Sequence, residues 1–249
     1  MKFPRSLRIS GFTSPGRVRR TNEDSFGLYP ELGMALVSDG MGSHNSGGTA
    51  SKMVVRLLPR ILSAALEGIP SSDLPTVKAV VINAVVQVSL KIHQLGLTNA
   101  ELMGMGATLV MMLVMGDKTL LTWMGDSRAY VMQNSKLQLI TNDHSMLSIL
   151  MSQGLIAPAE ARRHPSRSRL SRYMGMPDEV YPDIEIVELA HRDRVLLCSD
   201  GLSGELDDAA ISEILTEQAE PGVLCQSLVY AAEAKGGKDN ITAVVGQWT

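Results

Sequence analysis

The sequence predicts an α+β sandwich in which two antiparallel sheets lie face to face and a helix pair covers each outer side. Three observations carry that prediction. Strand-like apolar runs come in two batches, each followed by a pair of helical periods, and one more strand closes the chain. Short turns, rather than helices, separate the central strands, which favours antiparallel pairing. No linker, low-complexity tract or charge block divides the 249 residues, so 1–249 reads as a single domain.

The elements follow in order. Leu7 to Phe12 alternates weakly as a first strand and is broken by Ser14-Pro15-Gly16. Ser25 to Tyr29 and Gly33 to Val37 read as a hairpin around Pro30-Glu31. From Gly47 the period becomes helical, with Met53, Val54, Leu57, Leu58, Ile61, Leu62 and Leu66 on one face. Pro59 inside this run predicts a kink or a division into two helices. Ser72 and Asp73 offer N-caps, with Pro75 in the first turn, for a helix from Val77 to Leu95 ending at Gly96. The runs Ala107 to Met115, Thr119 to Met124, Arg128 to Gln133 and Lys136 to Ile140 are separated by Gly116-Asp117, Gly125-Asp126-Ser127 and Asn134-Ser135, which suggests an antiparallel meander. An irregular helical region, 145–173, carries Arg162, Arg163, Arg167, Arg169 and Arg172, either a solvated surface or a docking patch for an acidic partner or phosphopeptide. Strands at Ile184 to Glu188 and Arg194 to Cys198, helices at Asp207 to Glu217 and Pro221 to Ala234, and a strand at Ile241 to Gln247 complete the chain.

Composition narrows the function. A net charge of −3 and 4% aromatic residues provide neither the basic field nor the stacking surface of a general nucleic-acid binder. The 15 methionines lie mostly in apolar runs and read as core filler. Cys198 and Cys225 sit in apolar patterns without a CxxC or a Cys/His cluster, so buried free thiols in a reducing compartment are expected. Met1 to Ser10 lacks the apolar region of a signal peptide, and Leu102 to Gly116 is too short and Gly-rich for a membrane span. A cytoplasmic protein without a membrane span is the expectation.

The chemistry-bearing feature is a repeated tripeptide. Met34-Ala35-Leu36-Val37 runs into Ser38-Asp39-Gly40, and Val195-Leu196-Leu197-Cys198 runs into Ser199-Asp200-Gly201. A lone Asp-Gly is a turn signal. Two of them, joined by Gly125-Asp126-Ser127-Arg128 in a hairpin turn and Lys238-Asp239-Asn240 before the last strand, place four aspartates at junctions of apolar strands. Clustered there, the carboxylates would repel one another and suffer from burial unless a hard divalent cation joined them. Gly40, without a Cβ, lets its carbonyl turn toward such an ion. Near the N-terminus, Arg19-Arg20-Thr21-Asn22-Glu23-Asp24 offers guanidinium forks for a phosphate and two further carboxylates.

These residues occur in an ordered series: Arg19, Asn22-Glu23-Asp24, Ser38-Asp39-Gly40-Met41-Gly42, Gly106-Ala107-Thr108, Gly125-Asp126-Ser127-Arg128-Ala129-Tyr130, Asp143-His144-Ser145, Ser199-Asp200-Gly201-Leu202 and Asp239-Asn240-Ile241-Thr242. The series resembles the metal-dependent PPM-type protein serine/threonine phosphatases, the phosphatase 2C-like family, in compact bacterial form. The resemblance implies a four-layer α-β-β-α sandwich with a centre for two divalent cations, Mn2+ or Mg2+, and a third, weaker ion. It implies that Asp39 bridges both metals, that Asp200 and Asp239 complete the first ion's ligands, and that the Gly40 carbonyl serves the second. Glu23 and Asp24 would hold metal-bound waters, Asp126 the third ion, and Arg19, with Arg20 as substitute, the phosphate. Residues 145–173 resemble the family's flap.

The implied reaction is direct hydrolysis of phosphoserine and phosphothreonine in proteins, opposing a bacterial-type Ser/Thr kinase, by a monomer that needs no protein nucleophile. Met41 stands where many eukaryotic relatives have a histidine acid, so a metal-bound water is expected as proton donor, with His44 as the alternative. His144 is expected to cap the following helix. The competing readings are a non-catalytic phosphopeptide-binding relative, suggested by Ser43 and Gly48, and a two-metal nuclease or small-molecule phosphohydrolase.

Overall fold

A computed structural model describes residues 7–43, 46–157, 160, 164, 166, 169–178 and 181–248. Twelve strands appear among them: β1 (Leu7–Ser14), β2 (Ser25–Tyr29), β3 (Met34–Ser38), β4 (Gly40–Met41), β5 (Gly106–Ala107), β6 (Leu109–Met115), β7 (Lys118–Met124), β8 (Arg128–Gln133), β9 (Lys136–Leu139), β10 (Asp183–Glu188), β11 (Arg194–Cys198) and β12 (Ile241–Trp248). The helices are α1 (Ser46–Ala65), α2 (Leu74–Thr98), α3 (Met146–Ser152), the single turn α4 (Asp200–Ser203), α5 (Asp208–Thr216) and α6 (Pro221–Ala234).

The strands form two five-stranded sheets, ordered β1-β12-β11-β8-β9 and β10-β7-β6-β3-β2, and a small β4-β5 ladder. Among the described residues these strands pair antiparallel throughout, as the sequence suggests. Alternation divides each strand between two cores. On β3, Met34 and Leu36 face α1 and α2, whereas Ala35 and Val37 face the other sheet. On β11, Leu196 and Cys198 face α5 and α6, whereas Val195 and Leu197 fill the space between sheets. The result is four layers, helices outside and sheets inside, with three apolar zones between them. Met34, Met111, Met112 and Met115 are fully or nearly fully buried, and both cysteines are free and buried, as expected from sequence.

Three expectations need correction. The central strands are not one meander. β6-β7 is a hairpin in one sheet and β8-β9 a hairpin in the other, so Gly125-Asp126-Ser127 crosses between sheets and is not a hairpin turn. The reason is non-local: β10 occupies the second edge of β7, and β8 pairs instead with β11. Pro59 does not divide α1, which runs unbroken from Ser46 to Ala65 with Pro59 buried against the core. Nor does Gly96 end α2; it lies buried within the helix, which stops at Asn99. Asp73 does cap α2, accepting from the Thr76 N–H at 3.2 Å, with Pro75 in the first turn. α2 is long and apolar enough to cross a membrane by length and composition. Here Val77, Val81, Val85, Val88 and Ile92 bury its inner face in the core shared with α1.

Candidate functional site

The site lies where one end of each sheet meets the other. The two Ser-Asp-Gly tripeptides adopt different local structures. After β3, Asp39 leads into β4, whereas after β11, Asp200 is the first residue of α4. Both glycines are required by close approach. A Cβ on Gly40 would sit 2.1 Å from the Gly47 carbonyl oxygen, and one on Gly201 would sit 2.0 Å from that of Asn240. Only bare backbone lets α1 and the β12 entry press against the two aspartate junctions.

Asp39 and Asp200 face each other closely enough for their carboxyls to share a hydrogen bond, and the charges of Asp24 and Asp126 also act on Asp39. All three cleft-facing groups, Asp39, Asp126 and Asp200, keep part of their surface open. Burial, reinforced by neighbouring carboxylates, holds Asp39 well above the ordinary carboxylate range and raises Asp200 as well. Burial pushes Asp126 up to about 8, with Asp200 and Asp143 adding to the effect. Asp24, 6% exposed, is raised to about 6 by burial, although hydroxyl donors partly oppose the shift.

Those donors fix Asp24 from across the chain. Ser199 Oγ donates to Asp24 Oδ2 at 2.8 Å and Thr242 Oγ1 donates to the same oxygen at 2.6 Å. The other oxygen, Asp24 Oδ1, is buried without a partner, and so is Asp200 Oδ1. Unpartnered anionic oxygens beside mutually repelling carboxyls are costly unless a cation meets them. The donor set is all hard oxygen, which suits Mg2+ or Mn2+. Among the described residues, no three His, Cys, Asp or Glu side chains close around a point by themselves. Backbone carbonyls and water would therefore complete any coordination, as is usual for Mg2+.

The rim is built by polar side chains. Thr108 brackets Asp39: its N–H donates to the Asp39 carbonyl at 2.8 Å, and its Oγ1 accepts the Asp39 N–H at 2.9 Å. Thr108 Oγ1 also meets Ser127 Oγ at 2.6 Å, tying the Asp39 junction to the Asp126 crossover. Asn240 ties the N-terminal loop to β12: its Nδ2 donates to the Pro15 and Thr21 carbonyls, and its Oδ1 accepts the Glu23 N–H at 2.8 Å. Glu23 Oε1 accepts the Gly48 N–H at 3.1 Å, which places it at the start of α1. Arg128 grips Asp143 with two hydrogen bonds, 2.9 and 2.7 Å. At the mouth, Arg19 Nη2 donates to Asp239 Oδ2 at 2.8 Å; that bond and the Asp239 charge raise the guanidinium pKa.

The structure thus gathers Asp24, Asp39, Asp126 and Asp200 in one charge cluster, links Asp239 to Asp200 by charge, and sets Arg19 and Glu23 at its edge. Gly40 lies beside Glu23, whose carbonyl oxygen would be 2.7 Å from a Cβ on Gly40. Arg20 is exposed. His44, Arg162, Arg163 and Arg167 lie outside the described residues. His144 does not cap α3; Ser145 does, accepting the Ser148 N–H at 3.1 Å. The His144 ring instead lies between the Gly125 N–H and Asp183, and Arg172 clasps that same Asp183 with two hydrogen bonds, at 2.8 and 3.1 Å. Sequence reasoning quoted Thr108, Asn240, Asp143 and Ser199 within motifs but assigned them no role. For Ser199 and Asn240 the signal was a hydroxyl or amide directly beside a junction aspartate; Thr108 and Asp143 have no such neighbour in the sequence.

Comparison with known proteins agrees with this geometry. A family model described as protein phosphatase 2C matches residues 17–223. A serine/threonine phosphatase stp of Listeria innocua is 32% identical over 236 residues, covering 94% of this chain and 92% of the relative. The crystal structure of the Mycobacterium tuberculosis serine/threonine phosphatase PstP/Ppp superposes with a TM-score of 0.84 at 34% identity, covering 97% of this chain and 98% of that one. A structure of the PstP catalytic domain in complex with two manganese ions gives 0.83 at 32% identity, with 98% of each chain covered.

Proposed function

The chain belongs to the protein phosphatase 2C family, and from that premise we propose that it is a metal-dependent hydrolase of phosphoserine and phosphothreonine in proteins. The observation that carries this reading is the convergence of Asp24, Asp39 and Asp200 with two buried, unpartnered carboxylate oxygens among them. Asp39, Asp200 and Asp239 would hold a first Mn2+ or Mg2+; Asp39 and the Gly40 carbonyl would hold a second, Glu23 and Asp24 would steady the surrounding water, and Asp126 would serve a third. Paired ions supply an acidified water and an electrostatic clamp for in-line displacement at phosphorus.

The chain's own residues set the stage for that chemistry. Arg19, placed at the mouth, neutralises the phosphoryl oxygens. Ser199 and Thr242 hold Asp24 in one orientation, and Thr108 holds the Asp39 backbone. Cys198 takes no part, because burial pushes its thiol up to about 12 and it faces the helices. The non-catalytic alternative finds no support: a phosphopeptide binder would have no use for this costly set of buried carboxylates.

The remaining expectations belong to the same proposal. Residues 1–249 act as one domain with a flap at 145–173, as a cytoplasmic monomer that opposes a Ser/Thr kinase. The test is phosphate release from a phosphothreonine peptide. We expect release with Mn2+, none with EDTA, and a loss of at least about 100-fold in Asp39→Asn. Undiminished turnover in EDTA would overturn the proposal.

A further inference from the structure

A second cavity opens at the opposite pole of the β1-β12-β11-β8-β9 sheet. It encloses about 600 Å³, within the range of small-molecule sites. Arg8, Arg192, Arg194, Gln218 and Gln247 contribute to its wall. Arg194 begins β11, and Asp200 lies six residues further on, beyond the strand's other end. At the rise of an extended strand this puts the cavity roughly 20 Å from the aspartate cluster.

Its charges do not balance. Glu220 is consumed by Arg8, whose Nη1 meets both carboxylate oxygens at 2.6 and 2.7 Å. Asp193 Oδ2 accepts from the Ala190 N–H and the Gln133 amide, each at 2.7 Å, so that the wall sets three guanidiniums against two carboxylates. Arg192 and Arg194 have no carboxylate partner among the described residues.

Arg194 is only 8% exposed. Its Nη1 donates to the Leu215 and Glu217 carbonyls at the end of α5, but its Nε–H is buried and unpartnered. Capping a helix accounts for one nitrogen and sets the guanidinium at the negative end of α5, but it supplies no carboxylate partner. Burial alone acts on this guanidinium, and it lowers the pKa. Arg192 sits at φ 71°, a left-handed backbone that a glycine or asparagine would adopt more cheaply. The turn therefore holds a cation beside the cavity at a conformational cost.

We propose that this cavity binds a small phosphate-bearing metabolite, with Arg192 and Arg194 gripping the phosphate. Two guanidiniums from a turn and a strand suit a tetrahedral dianion. Asn134, Ser135, Gln218 and Gln247 offer polar partners to a hydroxylated body, and the wall contains no Phe, Tyr or Trp ring on which a base could stack, His191 being its one aromatic side chain. The ligand class is accordingly a sugar or polyol phosphate.

The test is a titration of the magnesium-loaded protein with glucose 6-phosphate, followed by amide NMR shifts, with citrate and inorganic phosphate as parallel arms. We expect saturable shifts at Arg192, Arg194, Gln218 and Gln247 with a Kd below about 1 mM. Arg192→Ala, an exposed change, should weaken binding about tenfold while aryl phosphate hydrolysis stays at the wild-type rate. Arg194→Gln, which keeps a donor for the α5 carbonyls, should weaken it further. Shifts confined to residues around Asp39 and Asp200, or wild-type affinity in both variants, would overturn the site. Citrate binding as tightly as glucose 6-phosphate would overturn the phosphate assignment. Inorganic phosphate binding equally tightly would overturn the role of the hydroxylated body.

Discussion

Chelating the divalent ions should make the stability of this protein fall as pH rises. Burial and mutual repulsion hold Asp126 at about 8 and Asp24 at about 6, against an ordinary value of 3.8. A carboxyl whose folded-state pKa exceeds its unfolded value keeps its proton longer in the folded protein. The folded state therefore binds more protons between those values, and the unfolding free energy declines with pH across that window. Integrated from pH 5.5 to 8.0, the two groups amount to about 4 kcal/mol as a ceiling. Water reaching the open side of Asp126 reduces this to roughly 2–4 kcal/mol. For a chain of this length that corresponds to about 5–10 °C in Tm. The assay is thermal unfolding by circular dichroism in EDTA at both pH values, repeated with Mn2+. The ion needs ionised ligands, so its stabilising effect should widen at pH 8.0. Asp126→Asn should remove its own share of the slope in EDTA and leave the shares of Asp24, Asp39 and Asp200. A chelated protein whose Tm is level or rises from pH 5.5 to 8.0, or a manganese effect equal at both, would refute the reasoning.

Other outcomes follow from single contacts. Gly201→Ala drives a Cβ into the Asn240 carbonyl at 2.0 Å, so it should cost about 1–3 kcal/mol and lower manganese affinity, read by calorimetry. Arg128→Met leaves Asp143 without its two-bond partner; with side chains 28% and 19% exposed, the loss should be about 2–3 kcal/mol in urea unfolding. Arg19→Ala should raise KM for a phosphopeptide and lower kcat, with manganese affinity nearly unchanged. Ser199→Ala removes one of two donors on Asp24 Oδ2 and should cost about 1–2 kcal/mol, with the chelated protein affected less below pH 6, where a protonated Asp24 needs fewer donors.

Much of this was legible in the chain. Alternation in Met34 to Ser38 and Arg194 to Cys198 marks strands buried on both faces, and the aspartates that end them mark a site. Asp73 and Pro75 announce α2 by local chemistry alone. What local chemistry does not carry is partner choice. Gly125-Asp126-Ser127 looks like a hairpin because nothing nearby tells that β10 will take the free edge of β7. The hold on Asp24 joins residues 175 and 218 positions apart in the chain. Gly96 resembles a helix stop, yet it lies buried in α2, where tertiary packing overrides propensity. His144 reads as a cap, but its ring is engaged by the Asp126 crossover and Asp183, both set by the fold.

The central claim is that aspartates far apart in sequence converge to hold paired divalent ions. Crystals grown with MnCl2 and measured at the manganese absorption edge test it most directly. The account predicts two anomalous peaks in the cleft, both within bonding distance of Asp39 and one also touching Asp200 and Asp239. Anomalous density elsewhere, with the Asp39 and Asp200 carboxyls left hydrogen-bonded only to each other, would contradict it.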